Sequence, residues 1–320
     1  MDAFPSASDS RPNRVQVTEV GLRDGLQNEA VRLATSQKAE LVRMLVNAGV
    51  GEFELTSFVS PRAVPALADA AELVAELQDL EDVHFSALVP NQRGAERALA
   101  AGVDSVVMFV SASESHNAKN VNAGVSESLA SFERIAVRLE GSGIELRGAI
   151  ATSFGCPFEG DVPVQSVVEI ARRFVDLGVT RVSLGDTTGM ATPPLVVDRV
   201  QQLRRATPSL SPALHFHNTR GIGLANVMQG LALGVERYES SIGGLGGCPF
   251  APGATGNIAS EDLVYLLSEM GIDTGIDLQC MIDAARFASR LMGRPLPGQV
   301  SKAGPRLATS DRSAVPTAEG

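Results

Sequence analysis

The strongest constraint on the fold of this chain is a punctuation mark that recurs six times: a small or apolar residue, then glycine, then a β-branched residue. It reads Ala48-Gly49-Val50, Ala101-Gly102-Val103, Ser142-Gly143-Ile144, Leu177-Gly178-Val179, Leu233-Gly234-Val235 and Met270-Gly271-Ile272. Glycine reaches the left-handed conformation that ends a helix, and the apolar residue after it packs back on the last turn. Helical patterns precede these marks; Leu41, Met44, Leu45 and Ala48 form one such stripe at i, i+3, i+4 spacing. β-rich runs follow most of them, so the unit that repeats is βα. Two further helix ends, without the mark, are expected near residues 79 and 206.

Eight strand candidates emerge: 15–20, 52–57, 83–89, 105–113, 146–154, 181–186, 213–217 and 237–244. A helical segment follows each. Eight alternating units predict an α/β fold with a single (β/α)8 TIM barrel over residues 15–300. The competitor is a doubly wound open sheet. That sheet would gather its polar residues at one switch point, whereas here they sit at the C-terminal ends of many strands. Residues 278–292 read as an extra C-terminal amphipathic helix, residues 1–14 as a polar extension, and the Ser/Ala/Pro-rich stretch 301–320 as a disordered tail.

Charge narrows the function. Lys+Arg 27 against Asp+Glu 37 gives a formal net charge of −10, and no basic run compensates it, which argues against nucleic acid as a partner. No stretch approaches the length needed to span a bilayer, and residues 1–14 have the character of neither a secretory signal nor a transit peptide. Three scattered cysteines, Cys156, Cys248 and Cys280, fit a reducing compartment rather than a disulfide framework. A cytoplasmic protein is expected.

His215-Phe216-His217 ends the seventh strand. The two-residue period puts both imidazoles on one face, which makes half of a metal site or a pair of hydrogen-bonded structural histidines. The first strand ends in Arg23-Asp24. This pair could be a local ion pair on a turn. In a barrel it would share the mouth with strand 7, so Asp24 could complete the metal set and Arg23 could face a developing oxyanion. Glu54 and Asp186 end strands 2 and 6 and bring further carboxylates, for acid–base work or for capping. The segment 243–257 holds six glycines in fifteen residues; so much backbone entropy suits a lid better than a connector. Cys248 lies in it as a candidate proton carrier, and Asn257 at its end is a candidate oxygen ligand. His84 is expected to be structural, Cys156 inert, and Lys119 either solvated or in contact with a phosphate.

Taken together, GLRDGLQNE (21–29), TSFVSP (56–61), SASES…KN (111–120), SLGDTTG (183–189), HFHNT (215–219) and GGLGGCPFAPGATGN (243–257) resemble the 3-hydroxy-3-methylglutaryl-CoA lyase family over about residues 15–292. The His-x-His strand is shared with Claisen-condensing relatives; the cysteine-bearing glycine segment is more specific to the lyase. The resemblance implies a divalent ion, Mg²⁺ or Mn²⁺, on Asp24, His215, His217 and Asn257. It implies catalytic roles for Arg23, Glu54, Asp186, His215 and Cys248, and substrate contacts from Arg23, Gln27, Lys119 and Asn120. It also implies an acyl-CoA substrate and a homodimer. Three departures from the family pattern bear on the acyl group: Ala30 where a basic residue is usual, and Asn218 and Arg220 in place of Asp and Tyr. Alternatives are the same chemistry on citramalyl-CoA or a longer branched analogue, a condensing synthase, and a non-enzymatic binding module.

Overall fold

The structure, a computed structural model, describes residues 11–247 and 256–307. Eight parallel strands close on themselves in chain order. They are β1 (Gln16–Glu19), β2 (Glu52–Ser57), β3 (His84–Val89), β4 (Ser105–Ser111), β5 (Glu145–Ala151), β6 (Arg181–Asp186), β7 (Ser211–Phe216) and β8 (Arg237–Ser240). β8 pairs with β1, Gln16 facing Arg237 and Glu19 facing Ser240, and this ladder closes the barrel. The eight expected strands are all present.

Between them lie α1 (Thr35–Asn47), α2 (Ala70–Glu76), α3 (Gln92–Ala101), the short α4 (Glu114–Val121), α5 (Val125–Leu139), α6 (Val164–Asp176), α7 (Pro193–Ala206) and α8 (Gly223–Ala232). After β8 come α9 (Ser260–Glu269), α10 (Leu278–Met292) and α11 (Val300–Ala303). Gly49, Gly102, Gly143, Gly178, Gly234 and Gly271 all have positive φ, the conformation their sequence context demands. The two unmarked helix ends are those of α2 and α7, where a leucine and a threonine take the place of glycine. The helix expected at 278–292 coincides with α10, N-capped by Asp277, whose carboxylate accepts from the Cys280 amide at 2.8 Å.

Strand ends differ from expectation for local reasons. β5 stops at Ala151 because Thr152 turns to φ +53° and gives its amide to the Thr187 hydroxyl at 2.9 Å. β4 stops at Ser111 because Ser113 becomes the N-cap of α4, accepting from the His116 amide at 3.1 Å. β8 ends at Ser240, and Ile242–Gly244 form a 3-10 turn in which Gly243 has φ +65°. At the C-terminus, α11 runs across the expected boundary between residues 300 and 301, and Arg306 pairs with Glu269 at 2.5 Å. Residues 308–320 lie outside the described residues.

The core sits between the outer face of the strands and the helices. Phe53, Phe85, Met108, Ile150, Leu184, Phe216 and Tyr238 are buried there. On α6 the buried set Val167, Ile170, Ala171 and Phe174 follows the helical period and lies against this wall. Gly148 on β5 admits the close approach: a Cβ there would stand 2.7 Å from the Phe174 ring. Among the described residues, no helix is long and apolar enough to cross a membrane.

Candidate active site

Position is set first by the turn that follows β1. Gly21–Gly25 form one π-helical turn in which the amides of Arg23, Asp24 and Gly25 all reach the Val20 carbonyl. A π turn takes more residues per turn than an α turn, so consecutive side chains diverge less around the axis, and such single turns are frequent at functional sites. The flanking glycines are required by packing: a Cβ on Gly21 would meet Glu19 Oε1 at 2.5 Å, and one on Gly25 would meet Ser241 Oγ at 2.9 Å. Arg23 and Asp24 are thereby aimed over the barrel mouth.

Arg23 is buried, and three of its five N–H donors are engaged. Nε donates to Glu54 Oε1 at 2.6 Å, Nη2 to Glu54 Oε2 at 2.9 Å, and Nη1 to Asp24 Oδ1 at 2.7 Å. Burial works against its charge, but Glu54 and Asp24 outweigh that and hold the guanidinium firmly protonated. Burial likewise raises the Glu54 carboxyl, and Arg23 only partly offsets it. For Asp24 the balance runs the other way. Burial pushes its carboxyl up, yet Arg23, His215, His217 and the Asn257 amide together hold it well below the usual carboxylate range.

His215 and His217 come from the end of β7, on the face that points inward, while Phe216 is buried on the outer face. Their Nε2 atoms stand 3.2 Å apart, and Asp24 Oδ2 lies 3.9 Å from His215 Nε2 and 3.7 Å from His217 Nε2. Asn257 is drawn to the same point by an isolated β-bridge to His217. Its Nδ2 donates to Asp24 Oδ2 at 2.7 Å and to the Leu245 carbonyl at 3.0 Å.

The donors fit a divalent ion. One carboxylate and two imidazoles offer ligand atoms within 4.8 Å of one another. Among the described residues the buried Asn257 Oδ1 has no hydrogen-bond partner, so an oxygen remains for the same set. A mixed N/O set of this kind suits a six-coordinate divalent ion. Burial lowers His217 to about 4, helped by His215, so its imidazole is neutral and ligand-competent. Burial also presses on His215, but the bond from its Nδ1 to Glu239 Oε2 at 2.9 Å overcomes it and raises the group. With Nδ1–H given to that carboxylate, Nε2 keeps its lone pair for the ion.

Glu239 was not singled out from sequence. Its part depends on the β7–β8 register that sets it opposite His215, and only its inward position in an alternating strand could have flagged it. Glu19 escaped notice as well. It is buried at the end of β1, accepting from the amides of Gly21 at 2.7 Å and Ile242 at 2.9 Å and from the Ser260 hydroxyl at 2.6 Å. It ties the Arg23–Asp24 turn to the end of β8.

Other expected residues fall in different places. Arg23, Asp24, Gln27, Glu54, Asn120, His215 and His217 all line one cavity of about 560 Å³. Asp186 stands at the end of β6, where its Oδ1 accepts from the amides of Met190 and Ala191 at 2.6 and 2.8 Å. Burial raises its carboxyl to about 6 against those two bonds. Lys119 is exposed and outside the cavity wall, its ammonium 3.5 Å from the centre of the Phe158 ring. Cys248 lies outside the described residues. Cys156 is buried against the Ser113 hydroxyl at 3.0 Å. His84 bonds Ser105 and Arg147 at the other end of the barrel. Asn218 caps the turn before α8 by accepting from the Gly223 amide at 3.1 Å, and Arg220 donates to the carbonyls of Thr188 and Gly189 at 3.0 and 2.6 Å. Both departures from the family pattern on this loop are thus engaged in loop geometry.

The base of the glycine segment rests on a second buried glutamate, Glu261, whose Oε2 accepts from the Gly243 amide at 2.9 Å. Burial raises its carboxyl from 4.5 to about 7, the Gly243 amide opposing and Asp262 adding to the rise. A carboxyl with a raised folded pKa favours the fold fully at low pH, and that contribution is lost as pH climbs through the folded value. A rise from 4.5 to about 7 corresponds to about 3 kcal/mol lost by pH 8. Urea unfolding at pH 5 to 8 is expected to show this decline in the native protein and a flatter profile in Glu261→Gln; equal slopes would refute it.

Comparison with known proteins agrees with this geometry. The HMGL-like family model matches residues 14–288. Hydroxymethylglutaryl-CoA lyase YngG of Bacillus subtilis is 42% identical over 288 residues, 90% of this chain and 96% of that protein. The mitochondrial hydroxymethylglutaryl-CoA lyase of Homo sapiens is 40% identical over 298 residues, 93% of this chain and 92% of its own. Among solved structures, an HMG-CoA lyase of Acinetobacter baumannii in complex with coenzyme A and 3-methylmalate superposes with a TM-score of 0.89 at 39% identity, covering 97% of this chain and 99% of that one. A barrel of this topology, matched along nearly its whole length, places the chain in the HMGL-like family.

Proposed function

We propose that this chain cleaves the C2–C3 bond of 3-hydroxy-3-methylglutaryl-CoA, giving acetyl-CoA and acetoacetate. The observation that carries it is the convergence of Asp24, His215 and His217 beside Arg23 at the mouth of the barrel, in a chain about as similar to curated HMG-CoA lyases as those quoted above. That similarity favours this substrate over citramalyl-CoA and over the condensing direction. An acyl-CoA is also the kind of substrate suggested by the related lyase that binds coenzyme A.

The ion, Mg²⁺ or Mn²⁺ in this reading, would be held by Asp24, His215, His217 and Asn257 and would lend Lewis acidity to the substrate's oxygens. The chain's own groups do the rest. The C3 hydroxyl gives up its proton to Glu54 or Asp186, each of which burial has made readier to accept one; Glu54 lines the cavity, whereas Asp186 stands behind its wall at the end of β6. The electron pair of the O–H bond forms the new C=O, and the C2–C3 pair leaves with the thioester as an enolate. Arg23, locked in place by Glu54 and Asp24, faces the negative charge that develops on the thioester oxygen. Cys248 is assigned the proton that returns to C2. Gln27 and Asn120, on the cavity wall, bind the acyl-CoA; the Lys119 contact carries less weight because that side chain stands off the wall. A cytoplasmic homodimer is the working state in this reading.

The test is acetyl-CoA release from 3-hydroxy-3-methylglutaryl-CoA by the purified protein. Release is expected to need a divalent ion, to stop with chelator, and to fall by about 10²–10⁴-fold in Cys248→Ala, the usual worth of a positioned proton donor. A protein that binds the ion and releases nothing would sink the substrate assignment.

A further inference from the structure

Residues at the N-terminal ends of barrel strands ordinarily serve stability, and a charge network that serves stability alone is balanced. At that end of this barrel it is not. Three guanidiniums line the cavity there, far from the Asp24–His215–His217 cluster: Arg147 from β5, Arg181 from β6 and Arg237 from β8. Arg147 and Arg181 stand opposite one another in the β5–β6 ladder, and like charges set opposite across a ladder cost stability.

Two carboxylates serve these three cations. Glu52 accepts from Arg147 and from the Thr18 hydroxyl at 3.3 Å, and lies 3.7 Å from Arg181 and 3.9 Å from Arg237. Glu145 takes Arg147 at 2.9 Å and Arg181 at 3.3 Å. The other acids nearby are engaged elsewhere. Asp104 accepts from the Phe85 amide at 2.7 Å, and Glu239, two residues above Arg237, holds His215 Nδ1 at 2.9 Å. His84, bonded to Ser105 and Arg147, brings no negative charge. One positive charge is in surplus among the described residues, and it falls on Arg237. Its carboxylate neighbour within 4 Å there is Glu52, at 3.9 Å and out of hydrogen-bond reach. Burial and the nearby Arg181 both work against the Arg237 charge.

Register puts donors around an open space. Leu214 pairs with Tyr238 and Ser183 with Ala213, so Arg237, Ala213 and Ser183 share one level across β8, β7 and β6. Ala213 puts only a methyl between the two outer strands, which lie ~9–10 Å apart at ~4.8 Å per strand. Arg181 stands one inward position below Ser183 on β6. Arg181 and Arg237 keep 32% and 28% of their side chains exposed, against 9% for Arg147. Gly185 is level with His215, four residues above Arg181. At ~3.3 Å per residue and a strand tilt of ~36°, this space lies on the order of 10 Å below the metal cluster.

We propose that this end of the barrel is a second ligand site, in which a small tetrahedral oxyanion of the phosphate and sulfate class sits between Arg181 and Arg237 with the Ser183 hydroxyl beside it. A cation is repelled there, and an apolar group leaves the surplus charge unpaired. Guanidinium forks donate in parallel pairs to the oxygens of such an ion. The three donors approach from below and from both sides, which suits four oxygens in a tetrahedron better than the two coplanar oxygens of a carboxylate. An ion bound to the folded chain alone stabilises it by mass action.

The experiment melts the purified, Mg²⁺-loaded protein in sodium sulfate and in sodium chloride of equal ionic strength. Tm is expected to rise along a saturating curve in sulfate and not in chloride. Arg237→Gln is expected to weaken the apparent sulfate affinity by about tenfold or more, the usual worth of a hydrogen bond to a charged group. Without sulfate the same variant is expected to melt no lower than wild type, since it relieves the repulsion from Arg181, so the order of the two proteins reverses as sulfate is added. Arg181→Gln tests the other side of the site and serves if the first variant fails to fold. A rise that never saturates is the general exclusion effect of sulfate and overturns the proposal, as does a saturating rise that both folded variants keep. An Arg237→Gln protein that melts well below wild type without sulfate shows Arg237 to be balanced by its neighbours and overturns it too. None of these outcomes bears on the reading of the mouth, which acetyl-CoA release tests separately.

Discussion

Asp24→Asn is expected to strip the protein of its divalent ion and to lower acetyl-CoA release by on the order of 10³-fold or more, several kcal/mol of charge stabilisation at about 1.4 kcal/mol per decade. Asp24 is the only carboxylate in the three-residue cluster found among the described residues. Its depressed carboxyl is charged at any working pH. Asparagine keeps the shape and removes that charge, while His215 and His217 keep their places on β7 because the strand, not Asp24, positions them. The loss should therefore appear in calorimetric titration with Mn²⁺ without a matching loss in melting temperature. Glu239→Gln sets the scale from behind the ligand shell: weakening the carboxylate that orients His215 is expected to cost about 10–100-fold in ion affinity. If Asp24→Asn binds Mn²⁺ as tightly as the native protein, the pair of histidines is structural after all.

The parts of this arrangement that can be read from sequence are those written in local pattern. A glycine forced to positive φ at a helix end leaves its mark within three residues, which is why six of the helix ends and all eight strands could be located. His215 and His217 share a face by the two-residue period alone, and Asp24 follows from knowing that β1 and β7 open on the same mouth. What sequence hides is set by register and by winding. Glu239 meets His215 because β7 and β8 pair at that position, 24 residues apart in the chain. Asn257 was named from sequence as an oxygen ligand, but the bridge to His217 that brings its amide to Asp24 has no local signature. The π-helical turn at Gly21–Gly25 has no periodic signature, since a single turn cannot show a period. Lys119 could be read from sequence only as solvated or in contact with a phosphate, and its place over the Phe158 ring depends on the fold of the loop after β5.

The second large effect concerns Arg23, and here retention of charge is the discriminating control. Arg23→Lys is expected to lower kcat by about 10²–10³-fold, the usual worth of one preorganised oxyanion donor, with KM changed much less. Lysine keeps a positive charge in the same shell. It cannot reproduce three donors that reach both Glu54 oxygens and Asp24 at once at 2.6, 2.9 and 2.7 Å. An ammonium would settle on one carboxylate, and the atom that faces the cavity would no longer be fixed relative to Asp24. Arg23→Met goes further. It leaves Glu54 buried at 4% exposure without its partner, and since burial already raises that carboxyl, loss of the guanidinium raises it again and leaves Glu54 protonated over more of the working range. The pH profile of kcat should then move its acidic limb upward in Arg23→Met but far less in Arg23→Lys, which retains the charge. The two variants separate the roles of the residue: a kcat loss shared by both belongs to the geometry of the fork, and a shift of the limb in Met alone belongs to its charge on Glu54. A lysine variant with native kcat would remove Arg23 from the reacting centre and reduce it to a counterion.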